Sequence, residues 1–440
     1  MRFCTTTLGC KVNQVETEAI ESVLIAGGHV LTEAGRGCGV CIINTCAVTA
    51  ESVRKSKQAV RRMRKLEPDA LIAVCGCLSQ LEAESVEALG ADLVGGSGDR
   101  LGFAIEIEKA VANLKSGTRD SEFEIDKHLR IDQFEELPLG GSSGRTRAFL
   151  KVQDGCDNYC AYCIIPYARG SVRSLPVQRA AEQAQSLAEQ GFREIVITGI
   201  EISSYGKELK DGVTIIDAIG AVSRAAPDAR LRMGSLDPRI FSDSFCQELR
   251  AIPNLCDHFH LSLQSGCDET LREMGRKYDT ETVSKSISSL RELFPNCGIT
   301  ADLIAGFPGE ADADFNKTLS FIESMKFSRM HIFPFSPRPG TRAAVMPCQI
   351  KKNVRQERAR LAIAAAEKMA GEFMHSQLGK TLEVLFERER DGFWVGHSGN
   401  YLEVAVKNGG EKNGIYPVRV AETAHGRAYG EIVPISAPNF

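Results

Sequence analysis

The run Cys156-Asp-Asn-Tyr-Cys160-Ala-Tyr-Cys163 spaces three thiols as CxxxCxxC. Such a loop can hold three irons of a [4Fe-4S] cube and leave the fourth without a protein ligand. Thiolates are soft, anionic iron ligands, and short spacings let a single turn converge three of them at low entropic cost. An open iron can chelate the amino and carboxylate groups of S-adenosylmethionine and pass one electron to its sulfonium, giving a 5′-deoxyadenosyl radical. Gly155 and the aromatic Tyr159 and Tyr162 suit a tight cluster loop; the bland alternative is three unrelated core cysteines.

A second group of cysteines lies upstream. Cys10 follows a strand-like run in Thr7-Leu-Gly-Cys-Lys-Val-Asn13, Cys46 follows another in Ile43-Asn-Thr-Cys46, and Cys77 follows a third in Val74-Cys-Gly-Cys77. In a parallel sheet, thiols at consecutive strand ends converge on one edge, where an α/β fold places its ligands. Three there could hold another cube with an open iron. Buried cysteine is also common in cores, and Cys4, Cys38, Cys41 and Cys75 lie nearby as competitors. A strand would point Cys75 and Cys77 to the same face, which leaves a ligand swap open.

The elements that must position these thiols come from a chain of 440 residues, too long for one ordinary core and suited to two or three domains. With 43% hydrophobic and 25% charged residues it reads as soluble and globular. The first ten residues lack the apolar run of a signal peptide, and no stretch approaches the roughly 18 apolar residues of a membrane span. A cytoplasmic protein is expected. In a reducing compartment, fifteen cysteines in clusters favour metal ligation over disulfides. The formal net charge of -4 excludes a uniformly basic nucleic-acid binder, so polyanion contacts must come from local patches.

Strand-like runs at 2–8, 40–44 and 70–76 alternate with helical patterns at 14–26 and 50–66, an α/β arrangement. Residues 114–145, acidic and closing on Leu139-Gly-Gly-Ser-Ser-Gly144, read as an exposed linker. Six further strand-like runs, at 149–152, 194–198, 230–235, 257–263, 299–304 and 329–333, predict a partial (β/α) barrel with functional residues where strands end. A long helical stretch at 352–375 precedes a tail, 376–437, whose short strands and scattered glycines read as a small β-barrel.

Taken together, Thr7-Leu-Gly-Cys-Lys-Val-Asn-Gln14, Asn44-Thr-Cys-Ala-Val-Thr49, Gly76-Cys-Leu-Ser-Gln80 and Gly155-Cys-Asp-Asn-Tyr-Cys-Ala-Tyr-Cys-Ile-Ile-Pro-Tyr-Ala-Arg-Gly170 resemble the radical-SAM methylthiotransferase family. Later segments fit too: Thr198-Gly-Ile-Glu-Ile-Ser-Ser-Tyr-Gly206, His260-Leu-Ser-Leu-Gln-Ser-Gly266, Gly306-Phe-Pro-Gly-Glu310 and Phe333-Pro-Phe-Ser-Pro-Arg-Pro-Gly-Thr341. The resemblance implies that Cys10, Cys46 and Cys77 bind an auxiliary [4Fe-4S] cluster and that Cys156, Cys160 and Cys163 bind the radical-generating one. It implies a methylthiotransferase domain at 1–138, a radical-SAM domain at 142–375 and a TRAM domain at 376–438, hence an α/β fold class with a parallel N-terminal domain, a partial (β/α)6 barrel and a small β-barrel.

Family members insert sulfur and a methyl group at an unactivated C-H position of tRNA adenosine 37 or of a ribosomal protein side chain. The Lys11-Val12-Asn13 form of the first motif and the Pro166-Tyr-Ala-Arg-Gly170 run most resemble the branch acting on N6-threonylcarbamoyladenosine. The isopentenyladenosine branch usually shows Tyr-Gly-Cys-Gln-Met-Asn and the ribosomal-protein branch Leu-Gly-Cys-Pro-Lys-Asn. As the resemblance implies, one S-adenosylmethionine methylates a cluster-bound sulfur and a second supplies the radical. The protein's task is then placement of the base between two clusters in a cavity that excludes stray hydrogen donors.

Other motifs carry less. Gly306 and Glu310 lie in a turn whose amides can approach a cofactor, Gly199 ends a strand on the likely active face, and Gln264 could hydrogen-bond the cofactor ribose; ordinary loop packing explains all four as well. Basic residues crowd 54–65 and 351–360 and could grip tRNA phosphates, though such runs are usually solvated helix faces. The tail holds seven Lys or Arg against eight Asp or Glu, so recognition there falls to shape, with Phe393 and Trp394 as stacking groups or core fillers. Arg169, beside the cluster loop, suits a phosphate or carboxylate.

The expected activity is conversion of threonylcarbamoyladenosine 37 to its 2-methylthio form. Expected partners are the tRNA anticodon stem-loop and an electron donor such as flavodoxin or ferredoxin, with no membrane and a monomeric chain. The rivals are the same chemistry on isopentenyladenosine, separable by which 2-methylthio nucleoside is made, and a non-catalytic iron-sulfur redox sensor, which would release no 5′-deoxyadenosine.

Overall fold

The computed structural model describes residues 1–116, 133–140, 145–424 and 426–434. Of the linker expected at 114–145, residues 117–132 and 141–144 lie outside the described residues. Leu137 and Leu139 within it are buried or packed against the core of the large barrel, so this part is not the exposed linker its composition suggested.

The N-terminal unit is a parallel sheet of β1 (Arg2–Thr7), β2 (Val30–Leu31), β3 (Val40–Thr45), β4 (Leu71–Gly76) and β5 (Leu93–Val94), in the order β2-β1-β3-β4-β5. β3 and β4 are buried along their whole length, which is why they read as near-continuous apolar runs and not as alternating ones. Helix α1 (Lys11–Ala26) and the helix Arg100–Ser116 cover one face through Ile20, Leu24, Phe103 and Ile107. Helix α2 (Ala50–Leu66) covers the other through Val60 and Met63. It starts where Thr49 Oγ1 accepts from the Ser52 amide and Ser52 Oγ accepts from the Thr49 amide, a reciprocal cap.

Six parallel strands follow in sequential order: Arg147–Lys151, Glu194–Thr198, Arg230–Met233 continuing past Gly234 into Ser235–Leu236, His258–Gln264, Gly298–Ala305 and Arg329–Pro334. Leu150, Ile195, Leu231, Phe259, Leu261 and Leu303 point outward into one large core under the surrounding helices. By the two-residue period of a strand, the residues between them face inward. Those are Arg147, Glu194, Arg230, Arg232, His258 and Asp302, so the lumen of this open barrel is polar and charged.

The helix Lys352–His375 leads to five strands between Thr381 and Ile432 that close into a barrel around Val384, Phe386, Val404, Val418 and Ala428. Trp394 packs against this small core and Phe393 meets Tyr429 edge-on at 5.6 Å, so both are at least partly core fillers. The small barrel docks under the lumen. Arg230 donates to the Glu383 and His397 carbonyls, and Arg232 to those of Ser398 and Gly399. No helix among the described residues is long and apolar enough to cross a membrane.

Candidate active site

β1, β3 and β4 end on one edge of the N-terminal sheet, where the strand order reverses between β1 and β3, and Cys10, Cys46 and Cys77 are the residues at those ends. A Cβ on Gly9 would sit 3.3 Å from Cys46 Sγ, so the first two loops touch. Asn13 Nδ2 donates to Asn44 Oδ1 (2.9 Å) and the Thr45 carbonyl, which ties the asparagines of the first two motifs together. Burial pushes the Cys77 thiol up to about 12 against the pull of Arg169, and Cys46 and Cys10 add to it. Cys10 is solvent-accessible, unlike the other two. Burial raises the Cys10 thiol as well, and buried thiols that resist ionisation in isolation are donors completed by added positive charge, such as iron.

Cys75 and Cys77 do not share a face. Cys75 lies in the core with Ile20 and Phe103, and Cys77 in the core with Val60 and Ile43 on the opposite side of the sheet. Gly76, at φ +110° and ψ −167°, turns the chain between them. A Cβ there would meet the Thr45 carbonyl oxygen at 2.4 Å, in a conformation open essentially to glycine alone. Gly76→Ala is expected to cost more than about 3 kcal/mol and to lower bound iron, read by denaturant midpoint and iron assay. Cys4, Cys38 and Cys41 also lie in the cores of this sheet, with Cys4 and Cys41 paired across β1 and β3.

The downstream trio occupies the loop between the first barrel strand and the short helix Ile165–Arg169. Burial pushes Cys156 up to about 11 and Cys163 up to about 12, and both are raised further by Cys160. Arg276 Nη1 donates to Cys160 Sγ at 3.2 Å. Its other nitrogens hold Tyr278 Oη (2.8 Å), the Ser262 carbonyl and Asp237, so the guanidinium is fixed in place. A cationic donor to a ligand sulfur favours the reduced cluster. In reconstituted Arg276→Met the midpoint potential is therefore expected to fall by about 60 mV, the one-electron equivalent of ~1.4 kcal/mol, read by EPR-monitored titration.

Among the described residues, the groupings tight enough for a single ion, with ligand atoms within 4.8 Å of one another, are His260–Asp302–His331 and Cys267–Glu269–Asp314. Neither cysteine trio is drawn that close. Wider spacing suits a cube, which takes one thiolate at each of three irons.

Six residues join the two trios. Ile164 and Ala168, just after Cys163, pack into the same core as Cys77 and Leu78, and Ser97 Oγ donates to the Ala168 carbonyl. Arg169 ends the segment fully buried, donating to Glu16 (2.7 Å), Asp154 (3.1 Å) and Asn13 (3.1 Å). Arg100 also binds Glu16, and Lys151 binds Asp154. Burial alone would raise the Glu16 carboxyl, but Arg100, Arg169 and Lys151 outweigh it and hold it at about 2. Arg169 is thus a tie between the two sheets, and the expectation that it grips a phosphate or carboxylate is corrected.

Gly199 leaves room for Gln153, whose carboxamide would lie 2.8 Å from a Cβ there. Gln153 in turn accepts from the Glu201 amide and donates to the Asp154 and Gly155 carbonyls, which shapes the start of the cluster loop. Gln264 ends its strand at φ +68° with no hydrogen bond from its amide to the described residues. Gly306 and Glu310 pack against the long helix Lys352–His375. Arg355 Cγ lies 2.5 Å from where a Gly306 Cβ would be, and Glu310 accepts from the Gly306 amide and from Arg358, both at 2.8 Å. These two residues lock the turn to the long helix through Glu310 Oε2, while Glu310 Oε1 is buried without a hydrogen-bond partner among the described residues.

The same contacts dissolve much of the basic run at 351–360, since Arg355 and Arg358 are internal ties and Arg360 pairs with Glu357. In α2, Arg54 pairs with Glu51, Lys57 with Glu82 and Arg64 with Asp92, leaving Arg61, Arg62 and Lys65 exposed without an ion pair among the described residues. The lumen charges and Arg276 were missed in the sequence. The alternation in Arg230-Leu-Arg-Met233 and in His258-Phe-His-Leu-Ser-Leu263 was the available signal: polar residues on one face of a barrel strand mark an inward site.

Family models match at residues 150–322 (Radical SAM superfamily) and 2–96 (Uncharacterized protein family UPF0004). The threonylcarbamoyladenosine tRNA methylthiotransferase MtaB of Bacillus subtilis is 34% identical, over 98% of this chain and 96% of the relative. That of Thermotoga maritima is 35% identical over 87% and 85%. The tRNA-2-methylthio-N(6)-dimethylallyladenosine synthase of Pelotomaculum thermopropionicum is 33% identical over 89% and 88%. Among solved structures, the radical S-adenosylmethionine methyltransferase TsrM of Kitasatospora setae superposes with a TM-score of 0.57 at 15% identity, over 78% of this chain and 75% of that one, a likeness of fold. The chain belongs to the radical-SAM methylthiotransferase family. Its cofactors, as for the family, are S-adenosylmethionine and [4Fe-4S] clusters.

Proposed function

We propose that this chain methylthiolates C2 of N6-threonylcarbamoyladenosine at position 37 of tRNA. The observation that carries the reading is the pair of cysteine trios, each at the carboxyl edge of its own parallel sheet and separated by one six-residue packed segment. Cys156, Cys160 and Cys163 would hold the cluster that binds S-adenosylmethionine, and Cys10, Cys46 and Cys77 the auxiliary one. A [4Fe-4S] cluster with one iron free of protein supplies the electron that cleaves S-adenosylmethionine to a radical. The chain's own part is positional. Arg276 fixes the Cys160 sulfur, the Arg169 tie holds the two loops in register, and the barrel wall shields the reacting base from water.

Relatives named for threonylcarbamoyladenosine reach 35% identity and those named for dimethylallyladenosine 33%, so identity alone does not choose the branch. The Lys11-Val12-Asn13 motif and the cationic lumen favour an anionic substituent over a hydrocarbon. We further infer a cytoplasmic monomer served by flavodoxin or ferredoxin, with functional units at 1–138, 142–375 and 376–438. The test is the reconstituted protein with anticodon stem-loops bearing either modified adenosine. The 2-methylthio product is expected from the threonylcarbamoyl form, and product only from the isopentenyl form would overturn the reading.

A further inference from the structure

Of the two groupings tight enough for a single ion, Cys267–Glu269–Asp314 already holds a cation of its own: Lys317 Nζ lies 3.2 Å from Glu269 and 3.5 Å from Asp314. The other, His260–Asp302–His331, takes one residue from each of the fourth, fifth and sixth strands of the large barrel, with Asp302 and His331 in register. Their strand neighbours Leu261, Leu303 and Ile332 pack outward, so these three side chains face the lumen. Among the described residues, Asp302 pairs with no lysine or arginine. Its Oδ2 faces His260 Nε2 at 3.2 Å, and its Oδ1 faces His331 Nδ1 at 3.2 Å.

Those separations are the edges of a coordination shell. With metal–ligand bonds of about 2.0–2.2 Å, neighbouring ligands of one ion stand about 3.0–3.5 Å apart. Thr300, two residues before Asp302, places its Oγ1 2.8 Å from His260 Nδ1. It can accept from Nδ1–H and leave the Nε2 lone pair to the site, the outer support that ligating histidines use. The same hydroxyl meets His258 Nε2 at 3.0 Å, so the support is itself anchored in the lumen. Two imidazoles and a carboxylate form a nitrogen and oxygen donor set suited to first-row divalent ions. His331 stands half exposed on the sixth strand, which pairs only with the fifth, so an ion can enter past that free edge.

We propose that His260, Asp302 and His331 bind one first-row divalent cation on the lumen wall, with its remaining coordination positions open to the chamber. Three ligands from three adjacent strands occupy one side of the ion, and water or an oxygen atom of a bound nucleoside completes the shell. The site uses no cysteine of either trio. It goes beyond the function proposed above and holds for either modified adenosine.

The experiment titrates the reconstituted full-length protein with Mn2+ and follows the free ion by EPR. Mn2+ is the probe because the soft thiolates of the fifteen cysteines compete poorly for it. The parent is expected to bind one Mn2+ per chain. Asp302→Asn and His331→Gln should each weaken binding by at least about ten-fold, Thr300→Val should weaken it by about ten-fold through lost orientation of His260, and Asp314→Asn should leave it unchanged. Iron content and urea midpoints establish that each variant keeps its clusters and fold; His331, half exposed on an edge strand, is the position where a change disturbs packing least. A parent that binds no Mn2+ would show that the two imidazoles only hydrogen-bond Asp302, and would overturn the proposal. Binding that survives in both Asp302→Asn and His331→Gln, or that is lost in Asp314→Asn, overturns it as well. Methylthiolation assays of the parent decide the proposed function separately and leave this result untouched.

Discussion

Cys77→Ala, reconstituted with iron and sulfide, is expected to hold about half the iron of the parent and to make no methylthiolated nucleoside, while still releasing 5′-deoxyadenosine from S-adenosylmethionine. The matched change Cys75→Ala is expected to keep full iron and to cost ~1–2 kcal/mol of stability through a small cavity. The contrast follows from Gly76, which sends two cysteines only two residues apart to opposite faces of one sheet. Iron analysis and product chromatography decide it. Equal iron loss in both variants would mean that Cys75 also reaches the cluster pocket.

Arg169→Met is expected to destabilise the protein by about 3–5 kcal/mol, because it leaves Glu16 and Asp154 buried with fewer counter-charges. Adding Glu16→Gln to Arg169→Met should recover part of the loss, and a double-mutant cycle on urea midpoints measures the coupling. The pH dependence has a definite sign. Glu16 is held at about 2 against an ordinary 4.5, so the unfolded chain binds the extra proton between those values. The contribution is full above about pH 4.5 and is lost as pH falls towards 2, a slope that Glu16→Gln should flatten. A parent and Arg169→Met with equal midpoints at neutral pH would remove the tie from the account.

The elements were legible because their signals are local. Buried parallel strands read as apolar runs, and the helix expected at 352–375 forms as Lys352–His375. The positions of the cysteine trios were legible because Cys10, Cys46 and Cys77 each follow an apolar run and the short spacing of Cys156, Cys160 and Cys163 confines them to one loop. What could not be read were the long-range commitments of charged side chains. Arg169 and Arg358 look like ligand groups in sequence, and only the packing of α1 and of the long helix reveals them as internal pairs. The Cys75 and Cys77 faces were misread for a subtler reason: strand alternation was carried through Gly76, where the backbone leaves the extended region.

The docking of the small barrel beneath the large one makes the last sixty residues structurally indispensable to the reaction chamber. Two buried arginines spend their donors on its backbone carbonyls, and the Asn400 carbonyl occupies the space where a side chain on Gly298 would begin. A chain stopped at His375 would open the chamber to bulk water from below and strand those guanidinium groups. Catalysis on a bare nucleoside, which asks nothing of an RNA grip, would then fail along with catalysis on whole tRNA.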